Sequence, residues 1–304
     1  MVYYEVRIVN RKKQNYLVYN RRERGKWVKR SRFIGIGEIK KEEIEKLKKK
    51  FELELRAEKR VYLSKEQVEE IEKLKQIYQE KIKKLNKEEF EKFENAFFTE
   101  LTYNSNAIEG SSLSLEETSL VINENITPKG KSLREIYEAK NHARALEFMK
   151  NYEEEINELF ILKIHSIILE NISERFAGRY RENPVRVRGS DAKFPSPDKV
   201  PQLVKNLIFW YNKNKKKIHP FELSVIFSMK LVSIHPFVDG NGRISRLMMN
   251  FILQKNKYPW INVYMKQRED YLKAVRKAND EDYLLILDYL IRTLRENLKD
   301  FQFL

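Results

Sequence analysis

The chain has 304 residues, of which 41% are apolar and 12% aromatic, so it can bury the core of one large or two modest domains. It has no cysteine, which excludes a disulfide framework, a thiolate metal site and a cysteine nucleophile. The first residues are charged where a signal peptide needs an apolar run, and no apolar run approaches the roughly 20 residues that span a bilayer. We therefore expect a cytoplasmic protein with no membrane partner.

Basic residues are concentrated at the N-terminus. The net charge of the chain is +15, and residues 1–35 alone carry +9, from eleven Lys or Arg and two Glu. In this segment β-branched and aromatic residues alternate with polar ones, which predicts a small basic antiparallel β segment over residues 1–40. Such a segment is suited to binding nucleic acid, but a basic surface is also commonly an ordinary solvent-exposed surface without a binding role.

From residue 41 onward the periodicity is helical. Residues 41–88 are highly charged and contain a capping box at Ser64 and Gln67, so they predict a charged helical hairpin or linker. Residues 89–300 are predicted to be helical almost throughout, with one helix ending at Glu109 because Gly110 follows it. Only residues 183–197 (NPVRVRGSDAKFPSP) have hairpin-like alternation. The fold class is therefore mainly α, a helical bundle with one exposed β-hairpin.

Three short motifs do not predict sites. Residues 130–132 (GKS) imitate the end of a phosphate-binding P-loop, but residue 125 is Asn where that loop needs its first glycine. His142 and His165 each stand alone on an amphipathic helix, as is typical of hydrogen-bonded core histidines. The tripeptide at residues 219–221 (HPF) places proline in the first turn of a helix, and we interpret its role as structural.

Residues 235–246 read HPFVDGNGRISR, and the residue types in this stretch are together suited to one binding site. The preceding segment is apolar on nearly all sides, which predicts a central buried helix that ends at His235. Phe237 is expected to anchor the following loop in the core. Gly240, Asn241 and Gly242 can adopt left-handed conformations and turn their amides inward, which would form a nest for anions.

The next helix is predicted to begin near Arg243, so its positive end points into the same cavity. Arg243 and Arg246 are three residues apart and can bind several phosphate oxygens. Asp239 supplies a hard carboxylate suited to Mg²⁺, and a histidine near neutral pKa suits a general base for a hydroxyl nucleophile. The pattern indicates a polyphosphate site with its metal, although a capped helix whose arginines pair with acidic neighbours is the simpler alternative.

This stretch resembles in full the signature of Fic proteins, His-Pro-Phe-x-(Asp or Glu)-Gly-Asn-Gly-Arg-x-x-Arg. The resemblance extends from about Asn95 to residue 295 and implies a Fic-type helical bundle with a β-hairpin flap over residues 89–300. It also implies transfer of AMP from ATP to a Ser, Thr or Tyr hydroxyl of a target protein or of the chain itself, with release of pyrophosphate. The implied cofactor is Mg²⁺, with Mn²⁺ as an alternative.

The resemblance also implies roles for individual residues. His235 deprotonates the target hydroxyl, Asp239 binds the metal, and Asn241 with the amides of Gly240 and Gly242 stabilises charge on the phosphates. The remaining roles are Arg243 on the β-phosphate, Arg246 on the γ-phosphate, Asn279 near the nucleoside, Tyr271 or Leu272 beside the adenine, and Val185 and Val187 in a flap that aligns the target by strand addition.

A second family feature is the sequence SNAIEG at residues 105–110, which resembles the inhibitory pattern (Ser or Thr)-x-x-x-Glu-(Gly or Asn). By similarity, Ser105, Glu109 and Gly110 close an inhibitory helix at about residues 96–110, and Glu109 pairs with Arg246 to keep it from the γ-phosphate. The simpler alternative is a surface glutamate at a helix end. In some relatives this glutamate supports removal of AMP, so a deAMPylase or a bifunctional enzyme stays an alternative.

We recognise no family resemblance in the N-terminal 60 residues, and three interpretations of them remain: target selection, nucleic-acid binding or assembly into a homodimer. A second class of function is therefore a nucleic-acid-binding protein whose Fic domain is secondary, although the intact motif argues against a degenerate domain.

Overall fold

The fold is seen in a computed structural model that describes residues 2–23, 26–48, 62–186 and 193–300. Contacts divide the chain into two compact units, Met1–Arg60 and Val61–Leu304. Across the described ranges, no helix has the length and apolar character needed to cross a membrane.

The smaller unit contains an antiparallel sheet of three strands in the order β1-β2-β3. The strands are β1 (Val2–Val9), β2 (Lys12–Glu23) and β3 (Lys26–Ile36), and a helix, α1, follows at residues 41–48. Val2 and Leu17 are buried on one face of the sheet, with Leu47 of α1 packed against them. The predicted basic antiparallel segment is confirmed.

The larger unit is the predicted helical bundle. Its α-helices are α2 (Lys65–Ile82), α3 (Lys87–Glu109), α4 (Leu115–Asn123), α5 (Leu133–Lys150), α6 (Glu158–Leu169), α7 (Val200–Asn214), α8 (Pro220–Ile234), α9 (Asn241–Lys255), α10 (Arg268–Asn279) and α11 (Leu284–Asp300). Local sequence explains many of their starts, because four of them begin with complete capping boxes at Ser64, Asn86, Ser114 and Ser132. The helix predicted at about residues 96–110 is the second half of α3, and Gly110 ends it in the left-handed conformation.

Helix α8 forms the centre of the bundle. Residues 221–229 are all buried, and the helix contributes to both large clusters of the core, with Phe227 and Leu231 in one and Phe221 and Val225 in the other. Its first residue is Pro220, as the sequence predicted. Its last residue, Ile234, is buried in the first of these clusters, and this packing holds the position of the following His235.

The predicted hairpin over residues 41–88 differs from the structure. Helix α2 packs against α11 in the larger unit, and Ile71 is fully buried there in one cluster with Leu63 and Phe221. The division by contacts falls between Arg60 and Val61 instead. The charged surface of α2 suggested an independent hairpin, but its narrow apolar stripe is enough to bind it to the bundle.

The predicted flap hairpin lies partly outside the described residues. Residues 183–186 and 193–196 have no regular secondary structure, and residues 187–192, with Val187 among them, fall outside the described ranges. The hairpin and its strand addition therefore stay predictions.

Replacing Ile71 by Ala tests whether α2 is part of the bundle. We expect the free energy of unfolding to fall by about 2–5 kcal/mol, because a buried isoleucine leaves a cavity. The matched control is Ile77→Ala in the same helix, where the side chain is 36% exposed and the expected loss is about 0.5 kcal/mol. Urea unfolding followed by circular dichroism measures both, and equal losses would contradict the packing of α2.

Candidate active site

His235 lies at the end of α8, where it caps the helix in the left-handed conformation with φ 51°. Its Nδ1 is 3.2 Å from the carbonyl oxygen of Val232. Since a carbonyl can only accept, Nδ1 carries the proton, and Nε2 of the neutral ring is left as an acceptor. The backbone geometry thus selects the tautomer that a general base needs.

Two neighbours of His235 were not predicted from the sequence. The ring of Phe194 stacks on the imidazole with centroids 4.1 Å apart. The buried Arg181 donates from Nε to the His235 carbonyl at 2.7 Å and from its backbone N–H to the Pro236 carbonyl at 2.9 Å. Burial lowers the pKa of His235 to about 4, against the hydrogen bond to Val232, which raises it. The imidazole is therefore neutral at physiological pH.

The loop after His235 is closed by the side chain of Asn241. Its Oδ1 accepts from the Phe237 N–H at 2.9 Å, and its Nδ2 donates to the Phe237 carbonyl at 2.8 Å. The prediction of three left-handed residues was wrong, because only Gly240 has a positive φ (79°), while Asn241 and Gly242 already begin α9. One left-handed residue is enough because the asparagine holds both ends of the turn.

Phe237 and His165 fix the same loop from beneath. Phe237 is fully buried, and its ring stacks on that of His165 with centroids 3.7 Å apart. His165 accepts at Nδ1 from the Gly178 N–H at 3.0 Å, so its Nε2 carries the proton and donates to the Asp239 carbonyl at 3.2 Å. Burial lowers the pKa of His165 to about 4. The neutral imidazole therefore connects Gly178, in the segment between α6 and α7, to Asp239 of the motif by two hydrogen bonds.

Asp239 and Arg243 belong to a network of alternating charges that reaches α5. Arg243 is almost fully buried and contacts Asp239 Oδ1 at 3.2 Å and Glu138 Oε1 at 3.3 Å. Arg134 contacts both carboxylates from the other side. Burial would raise the pKa of Asp239, but the charges of Arg243 and Arg134 and the Gly240 N–H hold it below its ordinary value. Among the described residues, Arg243 Nε has no hydrogen-bond partner.

Arg246 is held by the end of α3. Its Nη2 donates to the Ser105 carbonyl at 2.8 Å and to Glu109 Oε1 at 2.8 Å, while its Nε donates to Ser105 Oγ at 3.2 Å. The approach of Glu109 needs Gly242, because a Cβ at that position would be 2.2 Å from Glu109 Oε1. Ser105 and Glu109, one helical turn apart, thus converge on one guanidinium.

The residues predicted near the nucleoside have different surroundings. Asn279 Oδ1 accepts from Ser233 Oγ at 2.7 Å, beside a mainly apolar cavity of about 280 Å³ that also includes Leu207 and Ile234. Tyr271 is buried, with the Arg246 guanidinium 6.0 Å from its ring centroid. Leu272 and Val185 are half-buried.

Comparison with known proteins agrees with this geometry. Residues 155–253 match the model of the Fic/DOC family. The protein adenylyltransferase Fic of Nematostella vectensis is 31% identical over 238 residues, which cover 72% of this chain and 55% of that protein. Protein adenylyltransferase Fic of Drosophila virilis is 32% identical over 191 residues, 62% of this chain and 39% of that protein. The chain spans about two fifths to just over half of the length of these relatives.

Two solved structures share the fold. A Fic domain-containing signaling protein from Bacteroides thetaiotaomicron has a TM-score of 0.68 and 28% identity, covering 74% of this chain and 94% of that one. Fic-1 from Caenorhabditis elegans has a TM-score of 0.68 and 26% identity, covering 86% of this chain and 76% of that one. With the motif complete and its side chains assembled at the junction of α8 and α9, residues 155–253 form a domain of the Fic/DOC family.

Proposed function

We propose that the chain transfers AMP from ATP to a hydroxyl side chain of a protein, and that Glu109 holds this activity in check. The observation that carries the proposal is the placement of a neutral His235 at the end of α8 and of two buried guanidinium groups, Arg243 and Arg246, in the first two turns of α9. The names of the relatives, protein adenylyltransferases, support the choice of adenylyl transfer.

His235 supplies the base. Its Nε2 accepts the proton of the target hydroxyl, whose oxygen attacks the α-phosphorus of ATP. The bond between the α-phosphorus and the oxygen that bridges to the β-phosphorus breaks, and pyrophosphate leaves with the electron pair. Because the imidazole is fixed by its Nδ1 hydrogen bond and by Phe194, the proton is accepted at one defined position.

The phosphates are bound by the start of α9. Its first N–H groups have no partner within the helix, and the helix dipole favours negative charge there. Arg243 Nε, buried and without a partner among the described residues, suits a β-phosphate oxygen. Arg246 suits the γ-phosphate once Glu109 withdraws. These contacts place charge stabilisation where negative charge develops on the leaving pyrophosphate.

The residues fit a magnesium ion that binds together with the nucleotide. No group of three or more metal-binding side chains exists in the described parts of the chain, so a fully protein-bound metal is not indicated. Asp239 is partly exposed, and a single carboxylate combined with phosphates and water is a usual Mg²⁺ environment. When bound, the ion would neutralise phosphate charge, with Asp239 as its protein ligand.

The cavity beside Asn279 is the proposed base site. It is concave and mainly apolar, and Ile234 on its wall directly precedes His235. The half-buried Val185 lies at the start of the proposed flap, which would align the target by strand addition.

Inhibition follows from the partners of Arg246. Its guanidinium is buried, and three hydrogen bonds to Ser105 and Glu109 occupy the positions that a γ-phosphate would need. A phosphate must therefore displace the Glu109 carboxylate, and the free energy of that ion pair opposes productive binding.

Replacing Glu109 by Gly tests both parts of the proposal. With α-labelled ATP and Mg²⁺, we expect label on protein to increase roughly ten- to a hundredfold, because a charge-assisted hydrogen bond no longer competes with the γ-phosphate. Adding His235→Ala should reduce the increased labelling by about 10²–10⁴-fold.

The matched control is Glu124→Gly, an exposed glutamate at the end of α4, which should label like the wild type. Equal labelling of wild type and Glu109→Gly would contradict inhibition. No labelling of any variant, even with added cell extract, would contradict transfer from ATP, and release of AMP from a modified protein would then support the deAMPylase alternative.

The pH dependence tests the state of His235. In the Glu109→Gly variant, kcat/KM should stay constant from pH 7.5 to about pH 5.5 and fall only near pH 4, because the base loses activity only when it is protonated. The charge of Glu109 raises the pKa of His235, so its absence from this variant moves the acidic limb to still lower pH.

Phe194→Ala in the same background should move the acidic limb toward pH 6.5, since exposing the imidazole to water removes the burial that lowers its pKa. Phe209→Ala, which removes a ring exposed on α7, serves as the control. An acidic limb near pH 6.5 before the Phe194 change would contradict a buried neutral base.

A further inference from the structure

The sheet of the smaller unit has two different faces. Directly paired residues lie on the same side, so the pairs Tyr3 with Val18, Glu5 with Tyr16, and Tyr16 with Phe33 define one face, here called the front face. Val2 and Leu17 lie on the opposite face, where Leu47 of α1 packs against them.

Aromatic rings are exposed in the middle of the front face. Tyr16 and Phe33, on neighbouring strands, have ring centroids 5.5 Å apart. Phe33 is 50% exposed and Tyr3 is 37% exposed, so both rings are accessible to a ligand. The guanidinium of Arg7 lies 4.2 Å from the centroid of Tyr16 and extends the flat surface.

Cations surround these rings. Among the described residues, Arg7, Lys12 and Lys29 lie on the front face, together with the carboxylate of Glu5. Glu5 contacts Arg7 at 2.7 Å and Lys29 at 2.9 Å, so it orients both cations without neutralising the pair. Val18 lies on this face in the central strand, between the strands that carry Glu5 and Lys29, and is fully buried.

We propose that the front face binds single-stranded nucleic acid. Bases would stack on Phe33, on Tyr3 and on the guanidinium of Arg7, while Lys12 and Lys29 would contact phosphates. A double helix keeps the faces of its bases stacked inside, so it can use the cations but not the rings. The mixture of exposed rings and cations therefore favours the single strand, and the excess of positive charge over residues 1–35 complements its backbone. This proposal does not depend on the adenylyltransferase activity.

The test is fluorescence anisotropy of the full chain with labelled rU20, dT20 and a 20-base-pair duplex, at several salt concentrations. Wild type should bind a single strand more tightly than the duplex, and affinity should decrease as salt rises. Tyr3→Ala combined with Phe33→Ala should weaken single-strand binding about ten- to a hundredfold. Lys12→Ala combined with Lys29→Ala should reduce the slope of log affinity against log salt by about two.

Controls in the larger unit are Phe209→Ala for the rings and Lys65→Ala with Lys87→Ala for the charges, all at exposed positions. They should bind as the wild type does. Far-ultraviolet circular dichroism of each variant checks that the sheet is retained, which is expected because the changed side chains lie on the solvent face.

Preference for rU20 or for dT20 would both support the proposal and would assign RNA or DNA. The proposal would be overturned if the duplex bound as tightly as the single strands and if Tyr3→Ala with Phe33→Ala left single-strand binding unchanged. Charge alone would then explain the affinity. Absence of binding at low salt, or equal losses in the controls, would also overturn it.

Discussion

The buried guanidinium of Arg246 is the constraint on which the rest of the site depends. A charge removed from water needs an anionic partner at hydrogen-bonding distance, and leaving it without one costs about 3–5 kcal/mol. The end of α3 supplies that partner through Glu109, and two glycines make the contact geometrically possible. Gly110 ends the helix in the left-handed conformation, and Gly242 leaves the space that the carboxylate fills. Arg246 can therefore exchange one anion for another, and leaving it without an anion costs stability.

The same balance of charge extends across the whole candidate site. In the described residues, three guanidinium groups and three carboxylates are arranged in contact: Arg134, Arg243 and Arg246 with Glu138, Asp239 and Glu109. In the proposed function a triphosphate displaces one carboxylate but brings several negative charges. Arg134 and Arg243 already share the carboxylates of Asp239 and Glu138, so the added negative charge gives a physical reason for a divalent ion to accompany the nucleotide.

Local chemistry was predictable from the sequence, whereas contacts between distant segments were not. Ser64, Ser114 and Gly110 determine helix ends through neighbouring backbone groups, so their roles could be deduced from spacing alone. Phe194 and Glu138 reach the motif from about 40 and 100 residues away in the chain, and no periodicity marks them. The error at Asn241 is of the same kind, because composition permits a left-handed residue there but the hydrogen bonds to Phe237 decide otherwise.

The two partners in the central ion pair differ in how freely they can move. The Arg246 side chain is 6% exposed and lies within α9, whereas that of Glu109 is 39% exposed and belongs to the last residue of α3. Displacing the arginine would disturb the core around α8, but the carboxylate can turn into solvent when the final helical turn loosens. Glu109 is therefore the partner that can change, and a signal that relieves the proposed inhibition needs to act only on the end of α3. The firmly packed α8 keeps His235 in position throughout, so release of the carboxylate would change phosphate binding without changing the base.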